Sequence, residues 1–103
     1  MSVIFSVLYP AKPGAWFDQD YYDNVHIPLL RQAFTPTGLV DVTVFRPITA
    51  PDAMPTFERM VHLTFGAMET LLASLEGPRA PEVLADLAKF TDIQPITQML
   101  TSD

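Results

Sequence analysis

Two histidines, His26 and His62, are the residues of this chain best suited to proton transfer near neutral pH. A neutral imidazole can accept and donate a proton at this pH when a neighbouring group orients it. The chain has no cysteine, which excludes disulfides, thiolate catalysis and cysteine-bound metal. Two histidines without further ligands at suitable spacing make a poor metal site, and no glycine-rich phosphate loop or serine-hydrolase pattern is present. We therefore predict neither a metal nor a cofactor.

His26 is the candidate catalytic residue because of its place in a predicted helix. The pattern over residues 18–33 is helical, and Tyr22, His26 and Leu29 fall on its apolar stripe. Pro28 removes one backbone hydrogen bond and is expected to kink the helix beside the histidine. A kink there can open a pocket between helix and sheet. The alternative is a packed histidine that is satisfied by a backbone carbonyl or a tyrosine hydroxyl.

Tyr22, Leu29 and His62 are the predicted substrate-binding residues around His26. The ordinary alternative for Tyr22 is a core position, since aromatic residues at helical spacing usually pack inside. His62 shares one phase of a predicted strand with Met60 and Thr64, and its alternative is a hydrogen-bonded position in a dimer interface. The strand register that would decide this cannot be read from the sequence.

The order of predicted elements indicates an α+β protein with a ferredoxin-like βαββαβ layout. The strands are expected at residues 3–9, 39–46, 57–65 and 93–100, and the helices at residues 18–33, 67–75 and 81–87. Asp18 is the expected N-cap of the first helix. This arrangement gives a four-stranded antiparallel sheet covered by helices on one face. The 103 residues are expected to form a single domain.

Both faces of the predicted strands carry large apolar side chains. In the first strand, Val3, Phe5 and Val7 alternate with Ile4 and Leu8. Because the helices can cover only one face, the other needs a second sheet, and another copy of the chain is the simplest supplier. We therefore predict a homodimer.

Composition narrows the possible partners. The net charge is -6, with only six scattered Lys and Arg residues, so nucleic acid and anionic membranes are poor partners. No apolar run reaches membrane-spanning length and no leader is recognisable, which predicts a cytoplasmic protein. Hydrophobic residues make up 49% of the chain and charged residues 17%, so apolar surface is expected to meet a partner or a ligand.

The segment VLYPAKPGAWFDQDYYDNVHIPLL, residues 7–30, resembles the EthD family. It carries a Tyr-Pro at the strand end, Phe-Asp before a tyrosine pair, and His-x-Pro-Leu in family order. The stretch KFTD followed by QP, at residues 89–95, supports the resemblance. The resemblance implies two protomers packed sheet against sheet as a dimeric α+β barrel, and it aligns His26 with the helix-one histidine of the family. Relatives in the superfamily include lactone isomerases, polyketide cyclases, quinone-forming monooxygenases and haem enzymes, and a shared fold does not select among them.

The predicted function is the binding of a small, largely apolar molecule of aromatic or lactone-like type. His26 would move a proton without a cofactor, as an isomerase, cyclase or dehydratase of a degradative or secondary-metabolite pathway does. The first alternative is a non-catalytic binding or accessory protein of a degradation pathway. The second, and less favoured, is a haem-using oxygenase with a histidine as axial ligand.

Overall fold

Four strands form one antiparallel sheet in the order β2-β3-β1-β4. The computed structural model describes residues 2–102, so the predicted domain extends by one residue at each end beyond the described part. The strands are β1 (Val3–Pro10), β2 (Leu39–Phe45), β3 (Phe57–Phe65) and β4 (Ile96–Thr101). Helical segments join β1 to β2 and β3 to β4. The predicted α+β class and ferredoxin-like βαββαβ layout are therefore confirmed.

Two helical connections cover one face of this sheet. The first consists of α1 (Gln19–Tyr21), a π-helical turn (Tyr22–His26), α2 (Ile27–Phe34) and a 3-10 turn (Thr35–Thr37). The second consists of α3 (Met68–Leu75), α4 (Ala80–Asp86) and a 3-10 turn (Leu87–Lys89). Asp18 caps the first connection as predicted, since its carboxylate accepts the Tyr21 N–H at 3.1 Å. None of the described helices is long and apolar enough to span a membrane.

A π-helical turn ends two residues before Pro28, where the sequence predicts a kink. The N–H of Ile27 bonds to the carbonyl of Tyr22, five residues earlier, instead of the usual four. Pro28 has no N–H to continue the regular ladder, and it sits in the first turn of α2, where a missing donor costs little. The wider turn ends at His26, and the regular helix α2 follows it.

The last strand starts three residues later than the sequence predicts. Ile93 lies in the core, 6% exposed, and its N–H bonds to the Thr91 hydroxyl at 3.0 Å instead of to a neighbouring strand. Pro95 cannot donate to the ladder, so pairing with β1 begins at Ile96, opposite Leu8. Residues 93–95 thus anchor the approach to β4 without belonging to it.

The two faces of the sheet have different surroundings. Val61 and Leu63 of β3 are buried under the helices and lie opposite Val7 and Phe5 of β1. The other phase of β1 carries Ile4, Ser6 and Leu8 on the face without helices. Their partners in the register are Thr64, His62 and Met60 on β3 and Leu100, Gln98 and Ile96 on β4. This open face is apolar at its two ends and polar along its middle row.

The 3-10 turn packs so closely against α3 that Gly38 has no room for a side chain. Its φ is +117°, and a Cβ at this position would lie 2.5 Å from the Thr70 Cβ. Gly14 has a φ of +78°, and a Cβ added there would have nothing within 4 Å.

We predict that Gly14→Ala lowers the free energy of unfolding by about 1 kcal/mol through backbone strain alone, whereas Gly38→Ala lowers it by a further ~1–3 kcal/mol because of overpacking. Chemical denaturation measures the free energy of unfolding of both variants. Equal losses of this free energy would contradict the close contact at Gly38.

Candidate functional site

A cavity of about 130 Å³ lies between the helical layer and the sheet. Twelve of its sixteen lining residues are apolar, and the other four are Tyr9, Tyr22, His26 and Thr97. Its apolar walls include Phe5, Val7, Val61 and Leu63 from the sheet and Leu30, Phe34, Leu75 and Val83 from the helices. A mostly apolar concavity with a few polar groups is the usual form of a small-molecule site.

His26 joins this cavity to a buried carboxylate. Its Nδ1 lies 2.9 Å from Oδ2 of Asp86 in α4, and both side chains are almost fully buried. The imidazole also packs against two aromatic rings, with centroid distances of 4.6 Å to Phe90 and 5.7 Å to Tyr22. These contacts fix the ring, because a buried imidazole held by a hydrogen bond and two ring faces has little freedom to rotate.

Asp86 is held as a carboxylate by its neighbours. The Tyr21 hydroxyl donates to Oδ1 at 2.7 Å, and the Lys89 ammonium lies 3.9 Å from the same atom. Burial by itself raises the pKa of Asp86, but the hydrogen bonds from Tyr21 and His26, together with the charge of Lys89, outweigh it and hold the pKa below its usual value. The carboxylate is therefore an acceptor for both of its hydrogen-bond partners.

The Asp86 carboxylate decides which nitrogen of His26 carries the proton. An ionised carboxylate can only accept, so Nδ1 must donate to it. Burial lowers the pKa of His26, although the hydrogen bond and negative charge of Asp86 act in the opposite direction. A neutral ring protonated at Nδ1 leaves Nε2 with a free lone pair. Since His26 lines the cavity, this lone pair is the basic group that the site offers.

Tyr22 lines the cavity with its ring, whereas its hydroxyl is buried away from the cavity. The residue is fully buried, and its hydroxyl has no hydrogen-bond partner within residues 2–102. Burial raises the pKa of Tyr22, so the hydroxyl stays protonated. The guanidinium of Arg59, itself 2% exposed, lies 5.9 Å from the Tyr22 ring centroid. In this conformation Tyr22 can shape a ligand site but cannot present its hydroxyl to a ligand.

Leu29, a predicted ligand contact, does not line the cavity. It is only half-buried, and the cavity wall is formed by Leu30 and Phe34 instead. A regular helix would place the residue three after His26 on the same face. The residue four after His26 shares that face as well, and Tyr22, His26, Leu30 and Phe34, at intervals of four, all line the cavity, whereas Leu29 packs partly buried against the core.

His62 lies on the opposite face of the sheet from His26. It is paired with Ser6 of β1 and Thr43 of β2, and its ring packs against that of Phe45 at 5.0 Å. The structure therefore does not bring the two histidines together. His62, Ser6 and Gln98 form a row across the face without helices.

Asp86 is the site residue that the sequence interpretation missed. It lies 60 residues from His26, so no local spacing connects the two. The available signal was its place in α4: Asp86 follows Val83 by three residues and precedes Phe90 by four, on the stripe that is buried. A carboxylate on the apolar stripe of a helix indicates a buried partner.

The described residues offer no ready site for a metal ion. No group of three or more His, Cys, Asp or Glu side chains within residues 2–102 is arranged to hold one. The polar side chains that reach the cavity are His26, Thr97 and the two tyrosines, and among them His26 has a charged partner behind it in Asp86.

Comparison with protein families gives one match, to the EthD domain, over residues 17–94 of the chain. This range includes the π-helical turn, α2, β2, β3 and Asp86. None of the curated proteins matches the sequence.

Solved structures with the same fold support this match. An EthD-like protein from Ralstonia eutropha JMP134 is 29% identical, with a TM-score of 0.86 over 96% of this chain and 89% of that one. SnoaB from Streptomyces nogalater, described as a cofactor-independent oxygenase, is 12% identical, with a TM-score of 0.72 over 99% and 93% of the two chains. A dimeric ferredoxin-like protein of unknown function from Jannaschia sp. CCS1 is 12% identical, with a TM-score of 0.67 over 99% and 100%.

The His26 and Asp86 pair predicts a specific titration behaviour. Because burial outweighs the carboxylate, the pKa of His26 should lie below its usual value of 6.5. Asp86→Asn removes the negative charge that favours the imidazolium, so it should lower the pKa of His26 further. Asp20→Asn removes the same charge from an exposed position in α1 and should have little effect. Proton NMR titration measures the pKa of His26 in the wild-type protein and in both variants. A higher pKa in Asp86→Asn would contradict the proposed effect of the carboxylate.

Proposed function

The chain belongs to the EthD family, and on that premise we propose that its cavity binds a small apolar molecule on which His26 acts as a general base without a cofactor. The observation that carries this proposal is the 2.9 Å contact between His26 Nδ1 and Asp86 Oδ2 at the wall of the cavity. A base oriented by a buried carboxylate is the arrangement that general-base catalysis requires.

The proposed reaction is a proton transfer within one molecule. Nε2 of His26 takes a proton from an acidic C–H next to a carbonyl group, and the electron pair of that bond moves into an enolate. The imidazolium that forms is stabilised by Asp86, and it returns this proton, or one exchanged with the solvent, to another carbon of the same molecule. Atoms and electrons balance without an added oxidant or reductant, so isomerisation is the simplest reaction of this class.

The remaining residues of the site would have supporting roles. Asp86 is a positioning residue, because it acts on the ligand only through His26. Tyr21 holds the second oxygen of Asp86 and so fixes the plane of the carboxylate. The rings of Tyr22 and Phe90 pack against His26 and keep water away from the imidazole, which favours the neutral base near pH 7.

The alternatives to this function differ in how the cavity is used. A non-catalytic binding protein would hold the same ligand and leave it unchanged. A haem group is far larger than a ligand that fits about 130 Å³, so the site favours a small organic molecule. SnoaB is described as cofactor-independent, which agrees with the proposed chemistry, and the lack of cysteine suits a reducing compartment such as the cytoplasm.

We also propose that the chain works as a homodimer that covers the open face of the sheet. The apolar ends of this face, with Ile4 and Leu8 on β1 and Met60 on β3, would otherwise remain in contact with water. The similar protein from Jannaschia is described as dimeric and ferredoxin-like. Two such faces packed together form the dimeric α+β barrel expected for the family.

The general-base proposal can be tested with α-angelica lactone, an uncharged lactone with an acidic C–H. In deuterated water, the protein should speed both the uptake of deuterium and the migration of the double bond, followed by NMR. His26→Phe should lower the catalysed rate by about hundredfold or more, and Asp86→Asn should also slow it strongly, while Asp20→Asn should not. The rate should rise with pH through the lowered pKa of His26 and level off above it. Binding of the lactone without any catalysed exchange would support a non-catalytic binding protein instead.

The dimer proposal predicts a specific effect of a charge on the open face. Sedimentation should give a mass near twice 11.5 kDa. Leu8→Asp should dissociate or unfold the protein, because a buried carboxylate without a partner costs several kcal/mol, roughly a third or more of the stability of a small domain. Val25→Asp, at an exposed position on the helical side, is the control and should leave the mass unchanged. A wild-type monomer at micromolar concentration would contradict the proposal.

A further inference from the structure

The chemistry of the cavity wall narrows the class of ligand. We infer that the site selects an uncharged molecule with a single ring that presents a hydrogen-bond donor, an O–H or an acidic C–H, to Nε2 of His26. This inference rests on the proposed use of the cavity as the ligand site. It concerns the charge, size and polarity of the ligand, which the proposed reaction leaves open.

The charge of the ligand follows from what surrounds the cavity. Neither lysine nor arginine is among its sixteen lining residues. The ionised group directly behind the wall is the Asp86 carboxylate, which lies 2.9 Å from His26 and is 5% exposed. An anionic ligand would lose its hydration, find no cation in the wall and meet this negative charge. The buried guanidinium of Arg59 lies behind the Tyr22 ring, 5.9 Å from its centroid, and is already 3.8 Å from the Asp23 carboxylate. The pocket therefore disfavours carboxylates and phenolates of any size.

The size of the ligand follows from the volume of the cavity. Apolar cavities of roughly 150 Å³ in proteins bind benzene, and this cavity measures about 130 Å³. One six-membered or five-membered ring with a small substituent fills such a space. A second fused ring would have to displace side chains that are already packed, such as Leu63 and Val83, or project past the exposed Leu84 into water, where it gains no burial.

The polarity of the ligand follows from the tautomer of His26. Nδ1 donates to Asp86, so Nε2 can only accept a hydrogen bond while the ring is neutral. A ligand that places an O–H there gains a hydrogen bond, whereas a ligand with only acceptors leaves the lone pair of Nε2 buried without a partner. The site thus prefers a phenol to a ring of the same size without a donor.

Equilibrium binding of four probes to the full chain at pH 7 tests each part of the inference. Phenol should bind in the cavity, and benzoate should bind at least tenfold more weakly. The affinity of 2-naphthol should not exceed that of phenol, despite its larger apolar surface. In His26→Phe the ratio of phenol affinity to toluene affinity should fall by about threefold to tenfold, the range expected when one hydrogen bond is lost. Calorimetry gives the dissociation constants, and NMR shift changes of the lining residues locate the probes.

A charge at the cavity wall provides the complementary variant. Leu84 lines the cavity and is 65% exposed, so Leu84→Arg adds a cation without disturbing the core. In this variant the difference in affinity between phenol and benzoate should be smaller than in the wild-type protein. If the difference in affinity stays the same, the charge of benzoate is not the reason for its weaker binding, and the inference is wrong.

Three further results would overturn the inference: benzoate binding as tightly as phenol, 2-naphthol binding tenfold more tightly than phenol, or no binding of phenol at millimolar concentration. None of these measurements needs turnover. If the probe preferences hold while α-angelica lactone is not exchanged, the proton-transfer proposal alone fails. If exchange occurs while benzoate binds as well as phenol, the ligand inference alone fails.

Discussion

The buried hydrogen bond between His26 and Asp86 is the interaction on which the rest of the site depends. It joins the π-helical turn to α4, two segments 60 residues apart in the chain. Either group alone would be costly to bury, because an ionised carboxylate or an unpartnered imidazole loses its hydration. Together with Tyr21 they satisfy one another, and the pair fixes the position of both helices relative to the cavity. The same bond that permits burial also sets the tautomer of the base.

The π-helical turn supplies two residues of the cavity wall, Tyr22 and His26, and Pro28 follows two residues after its end. In the regular helix α2 that follows, Leu30 and Phe34 continue the wall at steps of four residues from His26. π-helical turns are uncommon and occur frequently at functional sites. In this chain the turn ends at His26, so the irregular backbone and the candidate base occupy the same place. The local departure from ideal geometry thus coincides with the proposed chemistry.

Much of the architecture could be predicted from local pattern, and much of the site could not. Alternating apolar residues located β3 to the residue, and Asp18 marked the start of the first helical connection because N-capping depends only on nearby residues. The inward direction of His26 followed from its spacing to Tyr22. The absence of Leu29 from the cavity wall could not be predicted, because the residues three and four after His26 lie on the same side of a helix and the apolar pattern does not say which of them reaches the cavity. Asp86 and the location of His62 depend on tertiary contacts and strand register, which local spacing does not encode.

The proposed chemistry depends on the protonation state of His26. This residue lines the cavity as a neutral base whose proton is on Nδ1. Nitrogen-15 NMR of the imidazole ring at pH 7 tests it most directly, because the shifts and proton couplings of the two ring nitrogens distinguish the tautomers from each other and from the imidazolium. We expect a protonated Nδ1 and an unprotonated Nε2 in the wild-type protein. A proton on Nε2, or a fully charged ring at this pH, would contradict this expectation, because the cavity would then contain a donor where the proposed base must be.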